Sequence, residues 1–287
     1  MDAQQILLKY DGRDADAHTV DMRLLGRSMQ GFDRIISDGI ILLSEKRLPK
    51  HGERAILRVQ AKEPVVGSQS IVGLIQDNAG LLPLGWQLLT DSAGNVIWHW
   101  VSFVLEHFSG RADAAEKHLK AMLEMNRDHL AARDASDARW HAEQAKWRDQ
   151  LFELANKLAG AASQAVAPVG PSVRNVKFSA GQSAPFEVDE AMADAIRSKG
   201  DLSVGDLQTM TLKTEGVRNH TRSLFVLHPD EDGYITANVK DPLFDEWPNV
   251  YTEAASRKAT IQVQAKPAFR GGRMERIYIM DFGGTVD

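Results

Sequence analysis

The chain has 287 residues and no cysteine, which excludes disulfides, thiolate nucleophiles and every cysteine-ligated zinc or iron–sulfur site. Its 43 % hydrophobic and 25 % charged residues are ordinary globular proportions, and the length favours two domains over one. A formal charge of −5 repels a polyanion, so nucleic-acid binding would need a local basic face.

The opening MDAQQILLKYDG lacks a basic stretch followed by an apolar one, so it does not read as a secretory leader and the expected address is the cytoplasm. Residues 4–10 form a short apolar strand ended by Asp11 and Gly12, a turn-favouring pair. From Val20 to about Leu48, the residues Met22, Leu25, Met29, Phe32, Ile36, Ile40 and Leu43 recur every three or four positions, which predicts an amphipathic helix capped by Thr19 or Asp21. Two β-like runs, 54–61 and 68–76, are separated by the break from Pro64 to Gly67 and predict a hairpin. The opening is therefore a β-α-β-β layer.

Residues 80–108 are the most apolar stretch. Pro83, Asp91, Asn95 and His99 interrupt it, leaving no run of the roughly 20 apolar residues that membrane spanning requires. A buried helical hairpin is expected; Trp98, Trp100 and Phe103 are the side chains that a membrane-acting effector would expose instead.

From 112 to 164 the chain is rich in Ala, Glu, Lys, Arg, Leu and Gln and free of proline, which predicts a long helix or helix pair with a break near 132–138. Within it Trp140, Trp147, Leu151, Leu154 and Leu158 approximate heptad a and d positions. That stripe either packs inside the protomer or joins copies of the chain, and self-association into a homo-oligomer is the expectation carried forward. The small residues and two prolines of 159–172 read as a linker, placed at 161–173 between an amino-terminal domain, 1–160, and a carboxy-terminal domain, 174–287.

Beyond the linker, a helix at 189–199 precedes most of a series of alternating strands: 174–180, 207–216, 222–229, 234–241, 259–266 and 275–282. Turns at 230–233 and 269–272 join neighbours as hairpins. The fold class is α+β: an N-terminal β-α-β-β domain with a long helical extension, then a small C-terminal β-barrel-like domain of the oligonucleotide-binding (OB) or SH3-like kind.

No local pattern supplies a catalytic site, a metal site or a cofactor fingerprint. The nine histidines include no HExxH pair, and the glycines at 26, 31 and 39 form neither a Walker loop nor a dinucleotide motif. Lys266, Arg270, Arg273 and Arg276 cluster on the last hairpin beside Phe269, a set that can track a phosphate backbone while an aromatic ring stacks a base; the competing role is a charged hairpin that protects a sheet edge. Trp247 and Tyr251 are either protein-partner anchors or packing over the barrel end. His18 and Asp21, near the first loop, either position a substrate or, for Asp21, cap the helix.

The string YDGRDADAHTVDMRLLGRSMQGFDRIISDGI, 10–40, resembles the opening of a group of uncharacterised bacterial proteins. The matching positions are Tyr10, Asp11, Gly12, His18, Asp21, Leu25, Ser28 and Asp33. The resemblance implies a helical middle and a C-terminal β module, and a setting on mobile elements or near phage-defence genes; it implies no reaction and no catalytic residue. The function expected is a non-enzymatic interaction or scaffold protein, needing no cofactor, whose helical region self-associates and whose barrel meets a protein partner. The alternatives are a nucleic-acid-binding accessory protein using the basic hairpin, a membrane-acting effector using 80–108, and an enzyme whose site is assembled from distant residues.

Overall fold

The computed structural model describes residues 4–50, 52–53, 59–61, 70–75, 87–131, 137–180 and 183–286, with side chains described over 6–50, 52–53, 96–125, 143–180 and 183–286. The chain divides into two compact units, Met1–Gly200 and Asp201–Asp287.

Unit 1 is built on an antiparallel sheet in the order β2-β3-β1-β4-β5, with β1 Gln4–Asp11, β2 Val59–Ala61, β3 Ser70–Ile75, β4 Asn175–Ala180 and β5 Phe186–Val188. The expected hairpin is the β2–β3 pair, and its connection, 62–69, lies outside the described residues. Helix α1, Met22–Glu45, begins at the cap foreseen for Asp21, whose side chain accepts from the Leu24 amide at 2.9 Å. Its apolar stripe, Phe32, Ile35, Ile36, Ile40 and Leu43, is buried in one core with Ile6, Leu8 and Tyr10 of β1 and Val176 and Phe178 of β4, where Phe32 and Phe178 stack at 5.9 Å.

Helix α2, Gln87–Ser109, runs where a helical hairpin was expected within 80–108, and the hairpin it makes is with the next helix, α3, Ala112–Ala131. Residues 80–86 lie outside the described ones, and among those described no helix is long and apolar enough to cross a membrane. The α1–α2 crossing is close because Gly39 has no side chain: a Cβ there would stand 2.1 Å from Trp100 Nε1, which donates to the Ile35 carbonyl at 2.8 Å. Helix α4, Asp137–Lys157, follows the expected break, of which 132–136 lie outside the described residues.

The expected linker is part of the unit 1 core. Helix α5, Ala159–Ala165, packs on α1 so tightly that a Cβ on Gly31 would lie 2.3 Å from the Ala165 nitrogen. Ala161, Ala162, Ala165, Val166, Val169 and Val173 are buried, so the small residues allow close approach here and do not loosen the chain. Helix α6, Glu190–Arg197, holds the segment down: Arg197 Nη2 donates to the carbonyls of Val166, at 2.8 Å, and Val169. Strand β4 pairs with β1, and the structural division therefore falls at 200/201 instead of 161–173.

Unit 2 is a closed five-stranded barrel formed by β7, Gln208–Arg218; β8, Ser223–Leu227; β9, Tyr234–Val239; β10, Thr260–Arg270; and β11, Arg273–Val286. A two-residue strand, β6, Ser203–Val204, adds to β10, and helix α7, Val250–Ser256, joins β9 to β10. Around the barrel the order is β7-β8-β9-β11-β10 and back to β7, antiparallel everywhere except β9–β11. A parallel contact between the third and fifth barrel strands, with the helix before the fourth, is an OB-like arrangement. Extra residues in β7 and β11 supply the bends that closing a small barrel needs. The interior is filled by Leu212, Leu224, Val226, Ile235, Ala237, Val239, Ile261, Val263, Ile277 and Ile279, the inward members of alternating strands.

Candidate functional site

On β8 and β9 alternation decides which side chains remain outside. Leu224 and Val226 fill the interior, so Phe225 and Leu227 point outward; Ile235, Ala237 and Val239 do the same for β9 and leave Tyr234, Thr236 and Asn238 outside. The register places Leu227 opposite Tyr234, Phe225 opposite Thr236 and Ser223 opposite Asn238. Leu227 is 41 % exposed and Tyr234 65 % exposed, and with half-buried Phe225 they form an apolar stripe on the barrel's outer wall. The Arg218 guanidinium lies 4.4 Å over the Phe225 ring, and Arg276 stands beside Thr236 on β11. In OB-type barrels this second-and-third-strand face is the one that meets ligands.

Both ends of the face are fixed. In the β8–β9 turn, His228 Nδ1 accepts from the amides of Asp230 and Glu231 at 3.1 and 3.0 Å. At the other end Arg222 donates to Asp245 and to the Asp241 carbonyl, both at 2.8 Å, which ties the β7–β8 turn to the loop after β9.

The hairpin residues expected to hold a phosphate backbone do come together on β10 and β11, each arginine beside a carboxylate. Arg270 pairs with Glu275 and faces Asp201 at 4.0 Å, Arg273 bridges Glu231 at 2.8 Å, and Arg276 bridges Glu275 at 2.8 Å. The arginines hold the Glu275 and Glu231 carboxyls below the usual carboxylate range. Lys266 and Phe269 are half-buried, paired in register with Tyr278 and Met274. Residues 201–287 carry thirteen Asp and Glu against ten Lys and Arg, a net charge of −3. A nucleic-acid strand at this hairpin would have to displace those pairs.

The remaining expected residues lie mostly in the unit 1 core. Trp147, Leu151, Leu154 and Leu158 are buried within the protomer, so this part of the stripe offers a second copy no surface; the side chain of Trp140 lies outside the described residues. Trp100 and Phe103 are fully buried, and Trp98 packs edge-on to His99 and His118, so exposing all three to a membrane would require α2 to leave the core. Tyr251 is buried and donates to Asp241 Oδ2 at 2.6 Å, whereas Trp247 is exposed.

The opening motif assembles a structural corner. Tyr10 donates to Ser28 Oγ at 3.0 Å, Ser28 donates to the Ala165 carbonyl, and Ser172 joins the Asp21 amide to the Asp14 carboxylate. Burial pushes the Tyr10 phenol up to about 12, which keeps it a neutral donor. Among the described residues no three His, Asp or Glu side chains gather as a metal cluster.

The face residues Phe225, Leu227 and Tyr234 escaped sequence reasoning, although a signal existed. Strand β8 carries large apolar residues in both alternation classes, Leu224 and Val226 in one and Phe225 and Leu227 in the other, where a solvated barrel wall would show polar residues on its outer side.

The family model of a domain of unknown function, DUF7946, matches residues 6–197, and that of a family of unknown function, DUF7947, matches residues 206–283. The two matches follow the two structural units. No curated protein and no solved structure matches the chain.

Proposed function

This chain belongs to the DUF7946 family, and we propose that it is a non-enzymatic interaction protein whose barrel binds a polypeptide partner across the outer face of β8 and β9. The observation that carries this reading is the exposed Leu227–Tyr234 pair, continued by Phe225, on a wall whose neighbouring hairpin cations are already neutralised. An apolar stripe flanked by hydrogen-bonding Thr236 and Asn238 suits a polypeptide better than a polyanion, because a phosphate backbone draws its affinity from unmatched cations. Tyr is enriched among the interface residues whose truncation costs most. An accessory role in a phage-defence or mobile-element setting belongs to the same reading and is supported by the resemblance of residues 10–40 alone.

The test is selection of a displayed peptide library on the wild-type protein, followed by titration of the enriched peptides against a Leu227→Ser/Tyr234→Ser variant. Peptides that bind the variant at least about tenfold more weakly, with its melting curve unchanged, support the reading. Equal binding to both proteins overturns it. Tight, steeply salt-dependent binding of a labelled single-stranded DNA, with no peptide enriched, replaces it with the nucleic-acid alternative.

A further inference from the structure

The loop between β9 and α7 holds its backbone with unusual completeness and leaves one large side chain outside. Asp241, only 2 % exposed, accepts from the Leu243 amide at 2.9 Å and the Tyr251 hydroxyl at 2.6 Å, while its carbonyl takes Arg222. Burial, and then the Asp241 carboxylate, hold the Tyr251 phenol above its ordinary range, so it stays a donor. Phe244 is buried against Tyr251, with ring centroids 5.9 Å apart, and Arg222 lies over it while bridging Asp245. Asn249, also buried, donates to the Phe244 carbonyl at 3.0 Å and caps α7 through the Thr252 amide at 2.8 Å. Between these clamps stand Asp245, Glu246, Trp247 and Pro248, all exposed, with Trp247 at 78 %.

A side chain of this size left in water on a fixed backbone is a pre-organised anchor, since the ordering that a partner would otherwise impose on the loop is already complete. Its surroundings specify what it takes. The face of an indole attracts cations, Glu246 next to it in sequence carries an exposed carboxylate, and the unit has a net charge of −3 over residues 201–287. We infer that Trp247, with Glu246, captures an arginine or lysine side chain of the partner polypeptide, a cation–π contact closed by a carboxylate. This rests on the polypeptide-binding reading and adds the partner's chemistry: a basic segment.

The test titrates the full chain with a fluorescently labelled Arg-Gly repeat peptide and, in parallel, with the peptides selected on the β8–β9 face. The expected result is binding of the Arg-Gly peptide that falls about tenfold in Trp247→Ala and equally in Trp247→Leu, and by two- to threefold in Glu246→Gln. Binding retained by Trp247→Leu overturns the inference, because it makes Trp247 a plain apolar anchor. Equal binding by all three variants overturns it too, and marks general attraction to an acidic surface. If the Arg-Gly peptide fails on the wild type while selected peptides bind and are lost with Leu227→Ser/Tyr234→Ser, the inference falls and the polypeptide-binding reading stands. If neither peptide class binds, both fall. Single-stranded DNA that binds the wild type and is released by Trp247→Ala replaces the cation with a stacked base and overturns the inference.

Discussion

The two units differ in how many large apolar side chains they leave outside. Unit 1 takes Trp100, Trp147, Phe103 and Phe32 inside, with the Trp100 indole donating to a backbone carbonyl, whereas unit 2 buries Phe244, Tyr251 and Tyr278 but leaves Leu227, Tyr234 and Trp247 in water. The difference separates two meanings of apolar sequence. A dense apolar stretch such as 96–108 is a core in waiting, whereas neighbouring apolar side chains on a wall whose inward positions are already filled stay at the surface.

The sharpest way to break that contrast is to empty the unit 1 core. Trp100→Ala is expected to cost about 3–5 kcal/mol, read from urea unfolding, because the cavity cannot collapse between helices that touch through Gly39. Gly31→Val, which forces α1 and α5 apart, is expected to cost about 1–3 kcal/mol or more by the same measurement.

A third measurement varies pH. His99 and His118 face one another with Nδ1 atoms 3.0 Å apart beside Trp98; burial lowers both, and the neighbouring His99 and then Lys117 add to the fall that brings His118 to about 4. The folded value lies below the ordinary 6.5, so the unfolded chain takes up protons first. The pair's contribution to stability is complete above about pH 6.5 and is lost as the pH falls towards about 4. Urea midpoints of the wild type at pH 7 and pH 5 should differ more than those of His118→Gln, and an identical difference would show that the pair is not responsible.

The smallest expected stability effect belongs to the site. Tyr234→Ala should move the unfolding free energy by no more than about 0.5 kcal/mol, as an exposed wall position allows, while weakening peptides selected on the face. A large loss of stability would place Tyr234 in the core category and dissolve the contrast between the units.

Local periodicity revealed the elements and concealed their partners. The three- and four-residue spacing of α1 and the alternation of the barrel strands are written in adjacent residues, so both were legible. The segment 159–172 was not, because alanine and glycine serve flexible chain and close helix contact equally well, and only Gly31, far away in sequence, shows which applies. Strand β4 alternates just as the barrel strands do, and its place beside β1 depends on a pairing that no local pattern encodes. The candidate site divides along the same line. Arg270, Arg273 and Arg276 were visible as a cluster, but the carboxylate that meets Arg273 is Glu231, from the β8–β9 turn, and that pairing is set by the fold.

The β1–β4 pairing also sets a schedule for synthesis. Ile6 lies opposite Ala180, so β1 waits for most of its unit to be synthesised before its second edge is covered. Until then that edge is a template for unwanted pairing, β3 covering only the opposite one, and a nascent chain that stalls between residues 75 and 175 carries it uncovered. The barrel has no such interval with unit 1, because every strand that closes it comes from residues 208–286. It is made after unit 1 and from consecutive pieces, so a chain interrupted before β10 and β11 would carry a finished first unit and an unclosed barrel.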